Sequence, residues 1–220
     1  MIHIKKGNEP RALTMYKQQI GAYYDNCPKE EIRQALLKEQ GFLCAYCMRR
    51  IDDKNMKIEH WESQSSIDSQ NINDNRSAEK KKMDYRNMLG VCSGKWPGTD
   101  EMTCDSHRGN VPLIVNPLRV EYIEQILYKE QTGEIYADDM LINKDLDQTL
   151  NLNIALLKEN RKVALQACKS QLSKLRKNGK WNSTLLQKQF AHYSGVDENG
   201  KKQPYAGIII WYLQKRLHSK

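Results

Sequence analysis

"KIEHW", residues 57–61, sets a carboxylate and an imidazole side by side at the end of a short strand-like pattern, "NMKIEHW". Adjacent Glu59 and His60 mean little alone, and two solvated side chains beside a turn is the plainer reading. Their weight comes from the cysteines on either side. Upstream stands "CAYC" (Cys44, Cys47), and downstream come Cys92 and, after the loop "SGKWPGTDEMT", Cys104. A two-residue spacer lets the backbone turn so that both thiolates face one tetrahedral ion. Thiol redox chemistry wants such a pair at a helix N-terminus, whereas this one follows a helical pattern. Four soft thiolates in a closed shell suit a structural Zn²⁺ that clamps the loops. Unpaired buried thiols are the alternative.

Composition sets the frame for these residues. A chain of 220 residues, 39% hydrophobic and 28% charged, is long enough to bury a proper core in one domain or two. Its longest apolar run, "GIIIWYL", is far too short for a membrane span. "MIHIKKGNEP" lacks the apolar core of a secretion signal, which points to a cytoplasmic location and reduced cysteines. The net charge of +8 is unevenly spread. Residues 151–220 carry 14 Lys and Arg against 3 Asp and Glu, and residues 1–150 carry 21 against 24. A basic rear half is either the footprint of a polyanion or a solvated helix surface.

Periodicity gives a coarse outline. A helix is expected to start near Leu13. A second follows Cys27, with Pro28 in its first turn, Ile32, Leu36 and Leu37 on its apolar face and Gly41 at its end. "MRRIDD" and "NMKIEHW" read as short strands joined by the turn at residues 52–55. Residues 62–82, polar and then basic, read as a long loop. "DYRNMLGVC" restores order with Leu89 and Val91, and "CDSHRGN" reads as a short helix stopped by Gly109. A hairpin is expected around Thr132 and Gly133. Beyond it runs a long amphipathic helix carrying Ile154, Leu157, Leu165, Cys168, Leu172 and Leu175, and "YAGIIIWYLQKRL" closes the chain as another. Cys168 is expected as a buried thiol, Trp61 and Trp96 as packing residues, and His3, His192 and His218 as surface or structural groups.

The order of the polar residues is informative. A tight cysteine pair precedes "IEH"; "DYRN" precedes the third cysteine; "DSHRG" follows the fourth. This arrangement resembles the HNH endonucleases, and more closely those of the Septu and retron-associated anti-phage systems. "IKKGNEP", "NMLGVC", "CDSHRG", "NPL" and "LNLN" followed by "LLKENR" extend the likeness over most of the chain. The resemblance implies an α+β fold: a ββα-metal core stapled by the four-cysteine zinc site, with a flanking N-terminal helix and a mostly helical C-terminal part. The divisions would be an N-terminal segment and helix at 1–40, the zinc-stapled nuclease core at 41–117, and the hairpin and basic helical region at 118–220. A boundary near residue 145 would separate two parts that share a core.

It also implies an activity, the metal-dependent hydrolysis of nucleic-acid phosphodiesters. An imidazole with a pKa near ~6.5 suits abstraction of a water proton, and a hard dication suits the developing charge. His60 would be the general base and Asn87 the residue that holds its loop. Glu59, where the family usually has Asp, would bind Mg²⁺ or Mn²⁺. The next ligand position falls on Asp105, favoured over His107, which stands two residues on. Arg108 is a candidate phosphate clamp. The implied partners are DNA or RNA, a gating ATPase, and in the retron case a reverse transcriptase with its RNA–DNA; no membrane is implied. The alternative is a zinc-stapled nucleic-acid-binding or adaptor subunit without turnover.

Overall fold

The structure is a computed structural model and describes residues 1–70, 74–175 and 182–218. It is α+β, built around two small antiparallel sheets. Helices α1 (Arg11–Tyr16) and α2 (Lys29–Glu39) lead into the first sheet. In α2, Ile32, Leu36 and Leu37 face the core, and Glu30 and Glu31 occupy the first turn, where the positive end of the helix dipole favours them.

Strand β1 (Met56–His60) pairs with β2 (Met88–Cys92), with Met56 opposite Cys92 and His60 opposite Met88. The strand expected at "MRRIDD" does not form. Arg50 makes only an isolated bridge to Leu43, and the partner of β1 lies a long insertion away. The turn at 52–55 is present, closed by Met56 N–H on the Asp52 carbonyl at 3.1 Å. The second edge of β2 is capped rather than paired. Gln40 donates Nε2–H to the Gly90 carbonyl and accepts Gly90 N–H, both at 2.7 Å, and Ala45 N–H adds a third bond at 3.0 Å. A side-chain amide thus stands in for a third strand.

The expected loop at 62–82 holds two short helices, α3 (Gln64–Gln70) and α4 (Asn75–Lys82); residues 71–73 lie outside the described set. Each buries one side chain, Ile67 and Ala78 respectively, so neither leaves an amphipathic pattern to read. Asp74 caps α4 by accepting Ser77 N–H at 3.0 Å.

After β2 comes α5 (Cys104–Arg108), ended by Gly109 at φ +57°. Next are α6 (Val120–Ile123) and the hairpin β3 (Leu127–Tyr128) and β4 (Ile135–Tyr136). Then α7 (Met140–Lys144) runs into a π turn at Asp145–Thr149. Helices α8 (Ala155–Lys174), α9 (Ser183–Ser194) and α10 (Ala206–His218) complete the chain. The long helix begins at Ala155, so Ile154 is its N-cap, although buried as its pattern required. Cys168 faces the core, as do Leu157, Leu165 and Leu172. One buried apolar cluster runs from Met1 to Leu213 and includes Leu37, Val91, Val115, Leu146 and Ile208, so elements on both sides of residue 145 share it.

Candidate functional site

The site grows from the β1–β2 hairpin and the first turn of α5. Cys44, Cys47, Cys92 and Cys104 are all buried, and their sulfurs lie within 4.8 Å of one another. The sulfurs are 3.8 Å apart for Cys44–Cys104, 3.7 Å for Cys47–Cys92 and 3.8 Å for Cys92–Cys104. A tetrahedral ion with metal–sulfur bonds of about 2.3 Å needs sulfur–sulfur edges of about 3.8 Å. A disulfide needs about 2.05 Å. This buried set can hold a metal such as zinc.

Backbone geometry makes the cluster. The Cys44–Cys47 turn closes with Met48 N–H on the Cys44 carbonyl at 3.1 Å, Met48 adopting φ +64°. Cys104 also has a left-handed backbone, φ +56°, as the chain enters α5. Hydrogen bonds from the other thiols, Cys104 foremost, hold Cys92 well below the usual thiol range, while burial pushes Cys47 and Cys104 up.

Asp105 follows Cys104 directly and turns toward β1. Its carboxylate lies within hydrogen-bonding reach of Glu59, which is 7% exposed. Burial first, and Asp105 second, push the Glu59 carboxyl up to about 8, against the opposing pull of Arg108. Strand alternation puts Lys57 on the same side as Glu59. Lys57 Nζ donates to Asp105 Oδ2 at 3.2 Å and to Ser106 Oγ at 3.0 Å. Two hard oxygen donors thus sit together with one half-exposed cation at the rim. His107 is not with them, since its Nδ1 lies 3.0 Å from the Thr149 carbonyl.

Arg108 requires a correction. Expected as a phosphate clamp, it is 2% exposed and its donors are committed within the protein. It forms an ion pair with Glu59 and reaches the His60 carbonyl at 3.2 Å, the Trp61 carbonyl at 2.6 Å and the Val111 carbonyl at 2.8 Å. Tyr46 hydroxyl adds a weaker contact to both Arg108 and Glu59, each at 3.4 Å. A guanidinium held by three carbonyls and a carboxylate is a bracket for the end of β1 and is closed to a phosphate.

His60 projects from the other side of the strand and is 4% exposed. Its Nε2 lies 2.7 Å from the Lys82 carbonyl, which can only accept, so Nε2 carries the proton and Nδ1 keeps a lone pair. Gln64 Nε2 approaches that Nδ1 at 3.5 Å, and Tyr24 meets the ring edge-on with centroids 4.7 Å apart. Burial lowers the imidazole pKa below 6.5, so the ring is neutral at pH 7. The imidazole does not join the carboxylates in one ligand set; among the described residues only the four cysteines form such a group. Asn87 closes the loop after His60 by accepting Glu62 N–H at 2.8 Å and donating to the Glu62 carbonyl at 2.9 Å.

Several participants escaped the sequence reading. Lys57 was legible, because it stands two residues before Glu59 on an alternating strand. Tyr46 lies inside "CAYC" without its own signal, and Gln64, Tyr24 and the Lys82 carbonyl reach His60 only through the fold. Trp61 and Trp96 are packing residues with their indole N–H groups on the Val115 carbonyl and Thr103 Oγ1. No protein-family model and no curated protein matches the chain. Among the described residues no helix is long and apolar enough to cross a membrane.

Proposed function

We propose that this chain is a divalent-metal-dependent nuclease of the HNH type, with Zn²⁺ in the four-cysteine cluster. The observation that carries the reading is the convergence of Glu59 and Asp105, from β1 and α5, at the strand end whose opposite face bears a neutral imidazole with its tautomer fixed by a backbone carbonyl. Glu59 and Asp105 would hold Mg²⁺ or Mn²⁺, since carboxylate oxygens suit hard dications. When bound, that ion supplies Lewis-acid stabilisation of charge on the phosphoryl and leaving oxygens.

His60 Nδ1 takes the proton of the attacking water, with Nε2–H anchored on the Lys82 carbonyl. Asn87 fixes the loop that carries it, acting as a positioning residue. The likeness to the Septu and retron-associated proteins extends the proposal to an effector gated by an ATPase in phage defence.

A second reading, a zinc-stapled binding module, draws on the ion pairs. Arg108 and Lys57 already balance the carboxylates without a dication. Wild type, His60→Ala and Glu59→Gln, incubated with labelled DNA and RNA in Mg²⁺ or Mn²⁺, separate the two. The nuclease reading expects cutting by wild type and a loss of about 10²–10⁴-fold in His60→Ala. Equal cutting by both removes His60 from catalysis, and binding without cutting by all three favours the module.

A further inference from the structure

Between the turn at residues 17–23 and the exposed side of α4 lies a groove of about 880 Å³. Tyr23 lines it, and the next residue, Tyr24, packs edge-on against His60. The two walls are tied together by Tyr24 N–H on Glu79 Oε2 at 2.8 Å.

The charges in this groove are unbalanced in one direction. Glu79, the acid in its lining, is occupied by Tyr24 N–H and by Lys82 at 2.9 Å. Lys17 is paired with Glu9. Arg76 and Lys80 are exposed and have no acidic partner among the described residues. Helix α8 shows the opposite condition, with Lys162 on Glu159 and Lys169 on Glu130. The basic rear half spends part of its charge internally, and α4 does so at Lys82, but Arg76 and Lys80 keep theirs unpaired among the described residues.

The remaining lining adds recognition chemistry. Tyr23 is 43% exposed; its hydroxyl accepts from Asn26 Nδ2, and its backbone carbonyl accepts from Tyr16 hydroxyl at 3.1 Å. Gln18 and Gln19 offer side-chain amides beside it. Free cations, an aromatic face and amides within one concave surface are the parts that bind unpaired nucleotides. The cations take phosphates, the ring stacks a base, and the amides meet base edges that a duplex keeps hidden.

We propose that this groove binds a single-stranded segment of nucleic acid, with phosphates on Arg76 and Lys80 and a base on Tyr23. The inference deepens the nuclease reading and rests on it for the class of ligand. It places the bound strand on Tyr23, one residue along the backbone from the Tyr24 ring that packs on His60.

The test reads binding and not cutting, so it stands apart from the fate of His60 as a base. A labelled mixed-sequence oligonucleotide, as DNA and as RNA, and its duplex are titrated by fluorescence anisotropy across a salt series without added divalent ions. Wild type should bind the single strand more tightly than the duplex. Arg76→Ala/Lys80→Ala should lower the salt slope by about 1.4, which is two phosphate contacts at ~0.7 each. Tyr23→Leu should weaken binding roughly tenfold, within the ~1–3 kcal/mol of one stacked base. Lys162→Ala/Lys169→Ala should behave as wild type. Arg76 and Lys80 are exposed and Lys162 and Lys169 are half-buried, and melting curves confirm that each protein is folded. No binding by wild type, a preference for duplex, or equal effects of the α4 and α8 variants overturns the proposal. Loss of cutting in His60→Ala alongside unchanged binding in Arg76→Ala/Lys80→Ala would leave the nuclease reading standing and this groove refuted.

Discussion

The four-cysteine cluster and the Glu59–Asp105 pair share one hairpin and one short helix, yet they are held by different forces. Cys104 and Asp105 are neighbours in sequence, and each enters a different site. The thiols sit where backbone turns put them: the closed turn after Cys44, the end of β2 and the left-handed residue at the start of α5. Among the described residues no charged side chain reaches them in a hydrogen bond. The carboxylates are held by compensation, with Arg108 on Glu59 and Lys57 on Asp105. A soft cluster can be preset by the chain, whereas a buried carboxyl beside a half-buried carboxylate draws on nearby positive charge.

The largest effect should come from breaking the cluster. Elemental analysis should find about one zinc per chain, and chelation or Cys92→Ser should lower the melting temperature more than any change at the carboxylates. Structural zinc contributes on the order of 10 kcal/mol to small domains. An unchanged melt after complete zinc removal would mean that the sulfurs clamp nothing.

Next should be Arg108→Ala, which strands Glu59 in the interior and costs about 3–5 kcal/mol. Adding Glu59→Gln should restore part of the loss in urea midpoints. Additivity of the two changes would show that the pair is not coupled.

Asn87→Ala removes both hydrogen bonds to Glu62, at about 1–3 kcal/mol for the groups left unpaired. Zinc content should stay the same while turnover drops, and an unaltered rate would deny Asn87 its positioning role. Lys57→Ala, at a half-exposed pair, should shift stability by less than about 1 kcal/mol.

A pH series sharpens the contrast between the two sides of β1. His60 has a folded pKa depressed by burial, so its contribution to stability is present above the unfolded value near 6.5 and is lost as pH falls below it. Wild type should lose more stability than His60→Gln on descending through that window. Parallel curves would place the imidazole in solvent.

Much of the hairpin and its cysteines was legible because chemistry marked them. "CAYC" with Cys92 and Cys104 announced a ligand set, and Gly109 announced the end of α5. Helices α3 and α4 were hidden because each buries one residue, and local polarity then resembles a loop. The strand expected at "MRRIDD" gives way for a related reason. Nearby "MRRIDD" satisfied the local pattern, but pairing with β2 brings Cys92 alongside Met56, near the first two thiols.

By itself the sequence determined which residue types could serve: four soft sulfurs, two hard carboxylates, one imidazole and an amide. Tertiary structure alone decided which of them meet. It brought Asp105 to Glu59 and sent His107 to Thr149, buried Arg108 among carbonyls, and set His60 across the strand against Lys82 and Tyr24. The reason is that side-chain direction depends on strand alternation and on single turns such as that at Cys104, whose conformation is fixed by contacts with residues remote in the chain.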